Sequence, residues 1–380
     1  DLHKAIRRQR QMCIRDRTLA GGGNGGKLDI ASSGTLTLTG ATDGLSHTEI
    51  AGTGTLAIAE GASLGLAADS TLSGVVLDLG GALSLEADGS AGGLNGSGSL
   101  ELNGQTLQIQ AASGQTHTYE GTLGEGTLDI SGAGTQVLRS SGADTGLTIS
   151  GGNLVLQGKA DVDGARLSYG NLVNSGNLTI QASDNSLTAV NTTLSVENAS
   201  FSSGSATTFT LNTDADMTAS FIEISGDVVI EDGASFHVTS IPDVNITWKS
   251  GNPMELTLME LTGNGTIDLG ENTLTVGGLF LTYYKNAHLV QEGDKVVLKA
   301  EEQTDNIYAG VADTANSMAG ANLLWDAARH GSIDQAVTDF LGALNNNMLN
   351  NPSAARRSLA AMAGSTVNAL GTAQRDALRD

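Results

Sequence analysis

One five-residue phrase, glycine followed by any residue, an aliphatic, any residue and a second aliphatic, recurs along this chain and limits what it can fold into. It reads Gly26-Lys27-Leu28-Asp29-Ile30, Gly34-Thr35-Leu36-Thr37-Leu38, Gly54-Thr55-Leu56-Ala57-Ile58, Gly81-Ala82-Leu83-Ser84-Leu85 and Gly98-Ser99-Leu100-Glu101-Leu102. It returns at Gly126 to Ile130, Gly152 to Leu156, Gly176 to Ile180, Gly226 to Ile230 and Gly265 to Leu269. Aliphatics at i and i+2 share one side of an extended strand, and the residues between them face the other way. The glycine ahead supplies a turn. Many copies stand roughly 20 to 28 residues apart, the spacing of stacked repeats.

Further short strands, at Leu64 and Leu66, Leu107 and Ile109, or Leu147 and Ile149, fall between the phrases. Several strands per coil with the aliphatic side always inward predict a mainly β chain, a parallel β-helix or β-solenoid. An antiparallel sandwich also shows short strands between turns, but its hairpins rarely hold one phrase in phase for so long.

Composition agrees. Glycine occurs 51 times and proline three times, and aromatic residues make up only 3% of the chain. A compact core leans on aromatic rings for buried area, whereas a solenoid coil needs to cover only its neighbours. Hydrophobic residues still reach 39%, at alternating positions, which argues against disorder. The formal net charge is −22. The positive residues Lys4, Arg7, Arg8, Arg10, Arg15 and Arg17 cluster at the start, and no basic surface for phosphate follows them. Nucleic acid is not an expected partner. Cys13 is the single cysteine, so no intrachain disulfide can form.

Residues 1–17 look foreign to the rest. Gln11-Met12-Cys13-Ile14-Arg15-Asp16-Arg17 resembles a translated sequencing adaptor, and Leu2, Ala5 and Ile6 are too isolated among charges to form a signal-peptide core. Fold and function are therefore read from residue 18 onward.

The stretch Thr118-Tyr119-Glu120-Gly121 through Gly134-Thr135, continued by Gly146-Leu147-Thr148-Ile149 and Gly152-Asn153-Leu154-Val155-Leu156, resembles the passenger-associated repeat of autotransporters of type V secretion. Aromatic residues are confined to Tyr119 and Tyr169 before residue 200 and become frequent after it, at Phe201, Phe209, Phe221, Phe236, Trp248, Phe280, Tyr283 and Tyr284. Residues 201–300 thus resemble the autochaperone end of such a passenger; an ordinary capping segment gives the same aromatic shift.

After Val296-Val297-Leu298 alternation gives way to helical grammar. Asp305 is the expected cap of a first helix ending at Gly331, Ser332 with Gln335 has the pattern of a capping box, and Ser353 is the expected cap of a third helix. The segment from Ser353 to Asp380 is slender and rich in small residues. It would extend roughly 40 Å as a helix, enough to thread a bilayer-thick pore, and its arginines bar it from facing lipid. A small helical cap on the solenoid is the alternative. The runs Ala309 to Met318 and Gly364 to Asp376 resemble the linker ahead of an autotransporter barrel.

The organisation expected is an adaptor at 1–17, β-helix repeats at 18–200, an aromatic-richer end at 201–300 and a short α-helical segment at 301–380. The resemblance implies an outer-membrane β-barrel translocator continuing the same chain, and a location at the outer membrane, the cell surface or outside a Gram-negative-type cell. It also implies a structural or adhesive, non-catalytic role, with host or cell-surface glycans or proteins as partners. The passenger is expected to be a monomer.

Chemistry-bearing motifs are weak. Gly21 to Lys27 has phosphate-loop spacing, but Leu28 stands where Ser or Thr is needed. Gly61-Ala62-Ser63-Leu64-Gly65 matches a nucleophile elbow, a chance match in so Gly-rich a chain, and Ser63 reads as a turn residue. Asp161 with Asp163, and Asp214 with Asp216, are the carboxylate pairs a β-helix polysaccharide hydrolase or lyase would need, although sugar-stacking aromatics are scarce nearby. Asp163 or Asp184 could ligate calcium, but the repeated nonapeptide array is missing. His3, His47, His117, His237, His288 and His330 are scattered without metal-ligand spacing. The Thr35, Thr37, Thr39 comb suggests an ice-binding surface, yet it shows no recurrence at coil spacing. No catalytic residue, cofactor or metal is expected. A secreted scaffold without a barrel is the remaining alternative.

Overall fold

The computed structural model describes residues 11–14, 17–19, 26–42, 45, 47–158, 165–181, 191–211, 221–240, 254–277, 280–330 and 335–362. The chain is mainly β: a right-through stack of short parallel strands on three faces, followed by short helices. The first face holds a four-stranded and then a seven-stranded sheet. The second is one unbroken twelve-stranded sheet, and the third holds a five-stranded and then a six-stranded sheet. Each coil visits the faces in turn, as in Thr48–Gly52, Thr55–Ile58 and Ser63–Leu66, followed one coil later by Thr71–Ser73, Val76–Leu79 and Ala82–Leu85.

The phrase read from the sequence serves all three faces. Gly26 and Gly126 open strands of the first face, Gly54 and Gly176 precede strands of the second, and Gly81 and Gly98 precede strands of the third. The common element is local, a turn followed by two inward aliphatics. Its position in the coil is set by stacking.

Parallel registers hold those aliphatics in columns. Leu36 pairs with Leu56 and Leu56 with Leu77, and Leu38 is carried through Ile58 to Leu79. All six are buried, and with their counterparts on the other faces they form one continuous core. At ~4.8 Å between strands, the twelve-stranded face is about 50 Å long.

The earliest strands lie inside the stretch set aside as foreign. Gln11–Ile14 pairs with residues 27–30 and Arg17–Leu19 with residues 36–38. Met12, Ile14 and Leu19 fall in the register of Leu28, Ile30 and Leu38, but Arg17 falls opposite Leu36, where the following strands carry leucine.

The core is polar at one level that alternation does not reveal. On the second face the backbone pairing between Gly93–Gly96 and Thr116–Tyr119 contracts to the single pair Gly96 and Tyr119. Side chains take over the ladder. Asn95 Oδ1 accepts from the Thr118 N–H at 3.0 Å, and Gln136, two coils away, meets both the N–H and the carbonyl of Leu94 at 3.0 and 2.8 Å. His117 and Gln136 occupy an inward column that holds leucine on the neighbouring coils, at Leu77 and Leu94 before them and Leu154 and Leu178 after. Without Gln136, two buried backbone groups of Leu94 would lack partners, and each such orphan costs about 1–3 kcal/mol.

Aromatic residues concentrate in the later coils. Phe201, Phe209 and Phe236 are fully buried, and Phe201 meets Phe236 edge to face at 5.7 Å. Trp248 lies outside the described residues. The parallel order then ends. Met254–Leu261 pairs antiparallel with Lys295–Glu302, which pairs antiparallel with Tyr284–Glu292 through a turn at Gly293. This hairpin closes the third face, and Lys295–Glu302 runs across residue 300. Tyr283, Tyr308, Leu324, Ala328, Leu341, Leu344, Ala355 and Leu359 bury against the same core.

The helix caps differ from those read in the sequence. Asn306, not Asp305, caps a 3-10 turn at Ile307–Val311, accepting from the Tyr308 and Ala309 N–H groups. The first long helix, Ala315–His330, is capped by Thr314, whose Oγ1 accepts from the Ser317 N–H at 3.0 Å while Ser317 Oγ accepts from the Thr314 N–H at 2.9 Å. Serine at N3 thus does the work that Glu or Gln does in the usual capping box. A second helix spans Gln335–Asn350; Ser332 lies outside the described residues. Asn351, not Ser353, caps the helical residues 352–362, with its Oδ1 accepting from the Ala354 N–H at 3.2 Å, and Pro352 takes the first helical position. Small polar residues abound in this segment, and local sequence does not show which of them meets the free N–H groups.

Candidate functional site

With the interior filled, contact with other molecules falls to the outer faces and corners. One corner is elaborated. Between the second and third faces the early connections are the short segments 39–40, 80–81, 97–98 and 120–121. In four consecutive later coils they become 158–165, 182–192, 212–220 and 241–253, all leaving at the same corner on successive rungs. Connections between the elements of a rigid scaffold are where binding functions concentrate. The expected acidic residues Asp161, Asp163, Asp184, Asp214 and Asp216 belong to these connections and lie outside the described residues. The corner's described anchors are ordered: Thr192 Oγ1 donates to the Gln181 carbonyl at 2.6 Å and accepts from the Gly158 N–H at 2.8 Å.

The third face beside this corner carries the main charged constellation among the described residues. Arg166 donates through Nη2 to Glu223 Oε1 at 3.1 Å, through Nη1 to Oε2, and to Ser195 Oγ at 2.6 Å. Ser195 Oγ in turn donates to Glu223 at 3.2 Å. The pairing continues onto the closing hairpin through Lys295 with Glu260 at 3.0 Å, and through Lys299 with Glu255 and Glu292 at 3.2 and 2.5 Å. The hydrogen bond from the Arg166 guanidinium, helped by its charge and by Ser195, holds the Glu223 carboxyl below the usual carboxylate range against the opposing effect of burial. A carboxylate held ionised in this way is a poor proton donor, the reverse of what a glycosidase acid needs.

Half of the Arg166 side chain meets solvent, so screening limits this pair to about 0.5–1 kcal/mol. Because the folded-state pKa of Glu223 is depressed, its contribution is present above the unfolded carboxylate value and is lost as pH falls through the lower folded value. Glu223→Gln is therefore expected to melt earlier than the native chain at neutral pH. That difference should close below about pH 4; a gap that persists in acid would assign the effect to packing.

The other candidates separate clearly. Ser63 opens the strand Ser63–Leu66 of the third face and is not the turn residue expected, because the turn falls two residues earlier at Glu60 and Gly61; no strand-to-helix turn is present there for a nucleophile elbow. Lys27 sits within the strand Gly26–Ile30 and pairs with Glu49 at 2.6 Å, with no helix after it to hold a phosphate. Among the histidines, His47 meets exposed Asp69 at 2.6 Å, His288 contacts the Asn286 carbonyl, and His3 and the side chain of His330 lie outside the described residues. His117 is inward-facing rather than solvated: its Nδ1 lies 3.1 Å from Asn95 Nδ2, its ring covers Gly93, and burial pushes its pKa down. His237 faces outward on the second face, and burial lowers its pKa too. Among the described residues, no group of three or more His, Cys, Asp or Glu side chains is placed to hold a metal ion.

The threonine comb does not continue from coil to coil, as the sequence indicated, although single threonine pairs do occur. Thr35 is paired with Thr55, Thr116 with Thr135, and Thr179 with Thr208 on the second face. Elsewhere Ala57, Asp78 and Asn95 take its place, so the rows are broken.

No helix among the described residues is long and apolar enough to cross a membrane. Sequence reasoning missed the Arg166, Ser195 and Glu223 constellation, which lies on three successive coils; the residues carry no local motif. Comparison with protein-family models finds no match, and comparison with curated proteins finds none.

Proposed function

We propose that this chain is a surface-displayed passenger of the autotransporter type, a non-catalytic stalk that holds a binding surface away from the cell envelope. The observation carrying this reading is the unbroken twelve-stranded parallel face, backed by a one-strand-wide aliphatic core. Such a stack resists bending because each coil is sealed by its neighbours. Its length grows by one rung per repeat, which suits a spacer. The repeat phrase and the linker-like runs in the tail supply the autotransporter part of the reading, with an outer-membrane β-barrel as translocator. The elaborated corner is where adhesion to glycans or proteins would reside.

Secretion tests it directly. The chain is placed between a cleavable signal peptide and an autotransporter barrel in a Gram-negative host, and intact cells are treated with an external protease. Surface cleavage that disappears when the barrel is omitted supports the proposal. A folded chain retained in the periplasm, shielded from protease even with the barrel present, counts against it.

A further inference from the structure

Where the second-face ladder contracts, a side-chain amide and an imidazole stand in for backbone pairing. Asn95 Oδ1 accepts from the Thr118 N–H at 3.0 Å, beside the single remaining backbone pair of Gly96 and Tyr119. A backbone N–H only donates, so the oxygen end of this amide is committed to Thr118. The nitrogen end, Nδ2, is then the donor that faces His117 Nδ1 at 3.1 Å. His117 Nδ1 is therefore the bare, accepting nitrogen, and the neutral ring carries its proton on Nε2. The ring lies against Gly93, where a Cβ would come within 2.2 Å of it.

We propose that this level is an acid-sensitive joint in the stack: a proton on His117 turns Asn95 away from Thr118 and parts the second face between Gly93–Gly96 and Thr116–Tyr119. Protonated imidazole donates from both nitrogens, so its Nδ1–H meets the Asn95 amide donor against donor. Rotating the amide to offer Oδ1 to the ring takes the acceptor away from the Thr118 N–H, and one oxygen in that geometry cannot serve both. Nothing described offsets the new charge. The strands Gly93–Gly96 and Thr135–Leu138 carry no ionisable side chain, and the strand of His117 adds only Tyr119, whose hydroxyl donates to the Gly98 and Thr122 carbonyls. Inward side chains of the other two faces at these coils, Leu100, Leu107, Ile109, Leu128 and Ile130, are apolar, and Glu101 and Asp129 lie between them on the outward side. Glu120 and Arg139, just past the strand ends, engage each other at 2.9 Å, and Asp78 is exposed one coil before Asn95. Burial holds the folded-state pKa of His117 below its ordinary value. Stability is therefore lost as pH falls through the unfolded value of about 6.5. Gln136 still holds both backbone groups of Leu94, so the opening is local.

Hydrogen exchange of the full chain at pH 7 and pH 5, read by mass spectrometry and corrected for the intrinsic pH dependence of exchange, tests the inference. Both values lie above the ordinary carboxylate range, and histidine is the side chain that changes charge between them. Peptides covering 93–96 and 116–119 should lose protection about tenfold at pH 5. Those covering 206–211 and 235–240 should keep theirs although they include His237, because the ladder between them is unbroken. His117→Gln, which stays neutral and can still accept from Asn95, should remove the difference between the two pH values, whereas His237→Gln should leave it in place. Protection indifferent to pH, or a loss that persists in His117→Gln, would overturn the proposal. If that variant does not fold at neutral pH, the imidazole resonance of His117 in the native chain decides: titration at or above about 6.5 rules the joint out, and titration below it together with the local loss upholds it.

Discussion

Replacing Gly98 by alanine should cost at least about 3 kcal/mol of stability, among the largest losses open to a single methyl group. A Cβ at Gly98 would lie 1.9 Å from the Gly81 carbonyl oxygen and 2.9 Å from the carbonyl carbons of Gly80 and Gly81. Those are backbone atoms of the preceding coil. They cannot swing aside, because the Gly98 N–H donates to the Leu79 carbonyl at 2.7 Å and the Ser99 N–H donates to the Gly81 carbonyl at 3.0 Å. The next coil repeats the constraint, with a Cβ at Gly121 falling 1.9 Å from the Gly98 oxygen. Gly98→Ala must therefore separate the coils or break the third-face ladder on both sides. Gly104 is the control: its φ is +78° and no atom lies within 4 Å of a Cβ built there. Gly104→Ala should cost only about 1 kcal/mol, for the left-handed backbone. Chemical denaturation of the two variants checks the contrast, and equal losses would refute the close-approach argument.

Tyr308→Ala should cost about 3–5 kcal/mol, by the usual scale for deleting a buried ring, and should act on the closing end of the stack first. Tyr308 is fully buried, its ring meets Trp325 edge to face at 6.3 Å, and its hydroxyl lies 2.8 Å from Thr282 Oγ1. Thr282 Oγ1 also accepts from Asn345 Nδ2 at 3.0 Å. Tyr308 and Thr282 together tie the 3-10 turn, both long helices and the short helix Phe280–Tyr283 ahead of the closing hairpin into a single cap. Tyr308→Phe keeps the ring and should lose about 1 kcal/mol for the hydrogen bond. In a stack held by nearest-neighbour contacts, damage at one end need not melt the other. Hydrogen exchange should therefore show Tyr308→Ala deprotecting strands 254–302 well before strands 55–85. Uniform deprotection along the chain would mean that the cap and the coils unfold as one unit.

Much of the architecture was legible because its determinants are local. Two aliphatics separated by one residue specify an inward pair wherever the phrase occurs, and Gly54 to Ile58 reads the same in isolation as in the stack. The shift to helix after Leu298 and the breaks around residues 331 and 351 were legible for the same reason. The caps were not: Asp305 and Asn306, or Asn351 and Ser353, are chemically suited to the same role, and the direction in which the backbone enters the helix decides between them. Asp161, Asp163, Asp214 and Asp216 lie outside the described residues, and the described charge constellation carries no local motif because Arg166, Ser195 and Glu223 are distant in sequence.

The amino-acid sequence by itself determined that this protein forms short strands with one aliphatic side, that they stack as a solenoid, and that helices follow. These are outcomes of alternation and turn chemistry within a few residues. Only the tertiary structure decided which face each phrase joins, that the side chains of Asn95 and Gln136 repair a broken ladder, and that Arg166 finds Glu223. The physical reason is that lateral register depends on the length of each coil. Coil length varies from turn to turn, so residues that become neighbours have no fixed separation along the chain.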